Sequence, residues 1–352
     1  MRYLRGTIEK SCRSQGFSTL TLVLVGLVLS IFLQSCSNGN PFQSFHAHPD
    51  VKRLALEDRI FPATDQLLDW QHKGNLKYGK DIRPTRPAAN HPLTGVVRTA
   101  LAGLPPHIKK LANQHMVALY LVENDYGTGT TEAVKDEQGR WRLGYIVLNL
   151  TALQRRANEW GTWKENSTFR KKHDYAVRMV MATPREDTQE NAIRFIFLHE
   201  LGHILGLGLI AHGNWDVGTG TQEDQNSNFV RISWELEKGD KPSMVSRYRE
   251  EHPLLSTLDF YSFQQARLHA GQAEQVYRSL AKTRFPSLYG ATNLYDDFAE
   301  AFAIYVHSRL LGQPYRVDII DEGRTVYSYT SCLLNGGCPG KLIQVQRILD
   351  PS

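Results

Sequence analysis

Apolar side chains crowd the chain densely where Ile193, Phe195, Ile196, Phe197, Leu198 and Leu201 recur with little polar relief. That density leaves no solvated face and predicts a buried helix rather than an amphipathic one. Thr183-Pro184-Arg185-Glu186 offers an N-cap, a proline suited to the first helical position and a capping-box acid, and Thr188 offers a second start. Gly206 and Gly208 provide the stop. Helical spacing also marks Val51 to Trp70, a short segment after Leu104-Pro105-Pro106, and the stretches Thr257 to Ala270, Gln272 to Lys282 and Asp296 to Leu311. Strands are predicted over Met116 to Val122 and Trp141 to Leu150, with turns at Gly127-Thr128-Gly129 and Asp136-Glu137-Gln138-Gly139 between them. Polar, proline-bearing or glycine-bearing stretches at 77–92 and 214–228 read as loops. The expected architecture is α+β: a mixed sheet packed on the buried helix, an N-terminal α+β lobe to about residue 212, and a helical C-terminal lobe closing a cleft.

The first 35 residues have a different pattern. Arg2, Arg5, Lys10 and Arg13 precede a charge-free apolar run from Phe17 to Leu33, which ends in Leu33-Gln34-Ser35-Cys36. The run is short for a membrane anchor and reads as an export signal. It resembles a bacterial lipoprotein signal, and that resemblance implies cleavage before Cys36, lipid on its sulfur, and a cell-envelope location, on the outer membrane or facing the periplasm if the cell is Gram-negative. Residues 36–50 are then expected to form a lipidated tether and 51–352 the folded domain. Cleavage removes four basic side chains and one acidic one, so the formal charge falls from +5 to +2. Nothing in that balance points to nucleic acid. Cys332 and Cys338, flanking Asn335-Gly336-Gly337, are expected to form a disulfide in an oxidising compartment.

The chemistry lies inside the buried helix, as His199-Glu200-Leu201-Gly202-His203. Imidazoles at i and i+4 share a helix face and can reach one metal, and the carboxylate beside the first is placed to serve a metal-bound water. Zinc (Zn2+) hydrolysis of a protein or peptide substrate, with Glu200 as general base, is the expectation. Leu143 to Leu150 is the strand expected to pair with that substrate.

A third ligand must come from elsewhere. A metzincin-type third histidine is excluded because Leu209 occupies its place, although His212 lies nearby as a displaced candidate. Asp296 and Glu300, four apart on a strongly apolar helix, share a face, and Tyr289 stands seven residues before Asp296. Together with the His-Glu-x-x-His segment, Tyr289 to Ala303 resembles the lethal-factor-like zinc peptidases, a group that includes the Pro-Pro endopeptidases and whose second motif runs E-x-F-A-E-A-F. The resemblance implies a zincin-like fold, Asp296 in place of the metal-binding glutamate, Glu300 as the acid supporting a ligand histidine or as the alternative ligand, and the Tyr289 hydroxyl as an oxyanion donor. The chain departs from the pattern in the shorter Asp296. Competing readings are a zinc amidase acting on cell-wall peptide and a non-catalytic envelope lipoprotein.

Overall fold

A computed structural model describes residues 40–349 other than Lys52, His173 and Lys241. Cys36 and the export signal lie outside the described residues. From Pro41 onward the chain forms one compact unit. Its first half runs β1 (Ile60–Pro62), α1 (Asp65–Lys77), α2 (Pro92–Ala102), α3 (Pro106–His115), β2 (Met116–Val122), β3 (Gly129–Lys135), β4 (Trp141–Asn149), α4 (Ala157–Asn166), β5 (Phe169–Arg170) and β6 (Tyr175–Val180). The central helix α5 (Gln189–Gly208) follows, then α6 (Gln222–Asn226), α7 (Val230–Ser233), β7 (Trp234–Glu237), β8 (Ser243–Ser246), β9 (Leu268–His269), α8 (Ala273–Leu280) and α9 (Leu294–Ile304). The described chain closes with β10 (Arg316–Asp321), β11 (Arg324–Thr330), α10 (Cys332–Asn335) and α11 (Pro339–Leu349).

The main sheet is mixed, in the order β1-β2-β4-β3, with β1, β2 and β4 parallel and β3 antiparallel at one edge. Seven consecutive buried residues in β2 match an interior strand covered on both faces. One face of the sheet meets α5. The other carries a smaller core in which Phe42, Leu67, Tyr120 and Tyr145 pack together. Phe42 is buried, and His48 bonds to Tyr120 Oη at 3.1 Å and to the Phe42 carbonyl at 2.8 Å. Residues 41–50 are therefore part of the fold and not a free tether.

The C-terminal half is not the helical lobe expected. β10 and β11 form a hairpin, and β10 also pairs with β6 from the first half, so the two halves share a sheet. Thr257 to Ala270 holds 3-10 turns and the short β9 in place of a helix, with Tyr261 and Phe263 at positive φ. Val51 to Trp70 likewise breaks into a 3-10 turn, β1 and the start of α1. Cys332 and Cys338 are joined by the expected disulfide, just before α11.

Candidate metal centre

Helix α5 starts at the second of its two possible caps: Thr188 Oγ1 accepts from the Asn191 backbone N–H at 3.2 Å. Sixteen of its 20 residues are buried, between β3 and β4 on one side and α9 on the other. His199 and His203 lie one turn apart on the α9 side, with their Nε2 atoms 3.2 Å from each other. Asp296 Oδ1 from α9 completes a triangle, 3.5 Å from His199 Nε2 and 3.4 Å from His203 Nε2. Ligand atoms of a small tetrahedral ion with bonds near 2.0–2.1 Å sit about 3.4 Å apart, so these three atoms can hold one.

The backbone brings Asp296 close to the histidines. A Cβ built on Gly202 of α5 would lie 2.7 Å from Ala299 Cα, which shows how closely α9 crosses at this point. Asp296 is also fixed by its own helix start. Asn293 caps α9, its Oδ1 accepting from the Tyr295 and Asp296 backbone N–H groups at 3.0 and 2.9 Å. Its Nδ2 and the Thr292 hydroxyl (3.1 Å) both donate to Asp296 Oδ2. That oxygen is committed, which leaves Oδ1 facing the histidines.

Glu300, one turn further along α9, stands behind His199. Its Oε1 lies 3.1 Å from His199 Nδ1, off the axis of a good hydrogen bond, and 3.1 Å from Lys164 Nζ of α4. Tyr315 Oη donates to Oε2 at 3.3 Å. Glu300 is therefore outside the triangle and against the far side of one of its imidazoles, as a carboxylate that orients a ligand histidine does. Burial alone would lift its pKa, but Lys164 and His199 more than offset that and hold it at about 2. Burial likewise opposes charge on His199, yet Asp296 and Glu300 raise it to about 10. Asp296 is held well below the usual carboxylate range by the two histidines, despite its burial.

His212 is not part of the cluster. It is buried behind Gly206, where a Cβ would meet its Nε2 at 2.1 Å, and its Nδ1 bonds to the Gly213 carbonyl at 2.8 Å. Burial lowers its pKa to about 3. Asp297, the residue after Asp296, is fully buried. Both of its oxygens meet Lys341 Nζ of α11, Oδ2 at 2.6 Å, and Oδ2 also accepts from Trp234 Nε1 at 2.8 Å.

Glu200 faces the sheet edge, near enough for its charge to act on His199. Thr131 Oγ1 donates to its Oε2 at 2.7 Å, and a Cβ on Gly129 would lie 2.8 Å from its Oε1. Both partners belong to β3, so β3 and not β4 is the strand beside the acid. β4 is paired on both sides and cannot accept an added strand. Among the described residues, a backbone hydrogen bond covers the outer edge of β3 at its end, where the Lys135 N–H donates to the Gln43 carbonyl at 2.8 Å.

The Tyr289 ring packs on His199, centroids 5.4 Å apart, with Lys164 Nζ 4.4 Å from its centroid on another side. Burial, then the nearby carboxylates, raise its pKa well above the ordinary tyrosine value, so the phenol keeps its proton. Sequence patterns give no sign of Thr131, Lys164 or Tyr315. Each meets the site from a distant element or loop, Lys164 being 136 positions from Glu300. Tyr261, whose ring is 6.4 Å from that of Tyr289, carries a clue visible only in the backbone, its φ of 63°. No family model, no curated protein and no solved structure matches this chain.

Proposed function

We propose that the chain is a zinc-dependent endopeptidase with a zincin-like fold, related to the lethal-factor-like peptidases and tethered to a membrane of the bacterial envelope by lipid on Cys36. The observation that carries this reading is the pairing of a triangle of ligand atoms at tetrahedral spacing with a carboxylate held against an open strand edge. His199, His203 and Asp296 would hold the zinc, which when bound supplies Lewis acidity and lowers the pKa of a coordinated water.

The chain's own residues supply the rest. An extended peptide adding to the free edge of β3 would run past Glu200 with its backbone in register with the strand. Thr131 holds Glu200 Oε2, leaving Oε1 on the Gly129 side to take a proton from the attacking water and return it to the leaving amine. The Tyr289 hydroxyl donates to the oxyanion. Glu300 orients His199, and Thr292 and Asn293 orient Asp296. The test is Glu200→Gln in protein starting near Asn38, assayed for zinc content and for casein cleavage. Zinc should be retained at one per chain and cleavage lost. Cleavage that survives the substitution would remove Glu200 from the reaction, and a wild-type chain without zinc would end the proposal.

A further inference from the structure

Lys164 is a cation with 4 % of its side chain exposed, and it lies between the two groups that the proposed chemistry needs held still. Nζ is 3.1 Å from Glu300 Oε1, the oxygen that faces His199 Nδ1, and 4.4 Å from the centroid of the Tyr289 ring. Trp160 and Phe260 complete the enclosure, each with its ring centroid 5.7 Å from Nζ. On its remaining side Glu165 Oε1 is 3.9 Å away, and Glu165 accepts from the Tyr277 hydroxyl. A lysine whose only task was to neutralise one buried acid would not need to stand on the face of the ring beside the ligand histidine. We propose that Lys164 is a positioning residue that sets Glu300, and through it the His199 imidazole, in one arrangement with the Tyr289 ring. The inference rests on the metal-centre reading above. One ammonium then fixes the orientation of a metal ligand and the placement of the oxyanion donor together, by an ion pair on one side and a cation–π contact on the other.

The test uses Lys164→Met in the full folded chain, and Lys164→Met/Glu165→Gln, which keeps the buried net charge of the wild type and guards against loss of folding. Zinc affinity is read by competition with a chromophoric chelator. The absorption of the cobalt-substituted protein reads ligand geometry, and kcat and KM at saturating zinc read catalysis. Both variants should bind zinc about ten- to a hundredfold more weakly, the scale of losing a partner behind a ligand. Their cobalt bands should shift, and kcat should fall with KM unchanged. Glu300→Gln added to Lys164→Met should cost little more than either change alone, because the two act through one contact. Wild-type affinity, cobalt spectrum and kcat in the double variant would overturn the role of Lys164 while leaving the metal centre standing. A wild-type chain that binds neither zinc nor cobalt would overturn both.

Discussion

An aspartate can replace a glutamate at a metal only if the backbone that carries it comes closer by about one methylene, and here Gly202 and Ala299 make that approach possible. Thr292 and Asn293 then turn the carboxylate so that a single oxygen faces the histidines. Asp296→Ala should abolish most zinc binding, whereas Glu300→Gln should weaken it by about ten- to a hundredfold. A zinc titration in which Glu300→Gln is the more damaging change would exchange their roles. Tyr289→Phe should keep the metal and lower kcat by roughly ten- to a thousandfold, the effect of losing one oxyanion donor; unchanged kcat would leave the ring as packing. The histidines, Glu200, Asp296 and Glu300 are legible in the sequence because helical spacing puts them on defined faces. Thr131 and Lys164 are not, because no local period links β3 or α4 to the residues they touch.

Helices α5 and α9 form a crossing with no room for a side chain at position 202. Gly202→Ala must separate them at the point that sets the reach of Asp296. It should cost about 1–3 kcal/mol of stability, the scale of an overpacked core, and should weaken zinc binding as well. A lower melting temperature with unchanged zinc affinity would mean the crossing does not set that reach. The buried Lys341–Asp297 pair clamps α11 to α9 on the other side. Lys341→Met should destabilise the fold by about 3–5 kcal/mol by stranding a buried charge, and adding Asp297→Asn should recover much of it. Among elements, the buried helix, its second cap and strands β2 and β4 can be read from apolar density and β-formers, whereas β1 lies in a stretch with helical spacing. The β10–β11 hairpin is harder to find, although Glu322-Gly323, at φ 47° and 75°, forms a tight turn between two runs that hold alternating apolar residues. Those runs are short and mixed in period, so local pattern does not choose between strand and helix, and the long-range pairing with β6 settles it.

Acid should act on the molecule as a whole through buried imidazoles. His307 Nε2 donates to the Met181 carbonyl at 2.8 Å, and burial lowers the pKa of the ring to about 4. The unfolded chain takes up a proton there near pH 6.5 while the folded chain stays neutral, so stability is full above about 6.5 and is lost as pH falls toward 4. The contribution is about 3 kcal/mol from the size of that shift. Melting temperatures between pH 7 and 4 should fall less steeply for His307→Gln than for wild type, and equal slopes would rule His307 out as a source of the acid sensitivity. Asp297 and Lys341 are 44 positions apart in the chain. During synthesis the helix carrying Asp296 emerges well before α11, and until α11 docks, its core-facing acid has no cation to meet. The helix start that carries Asp296 should therefore settle late: a truncated chain ending before Lys341 would keep His199, His203 and Asp296 but lack the clamp on the neighbouring acid, and should bind zinc more weakly than the full chain.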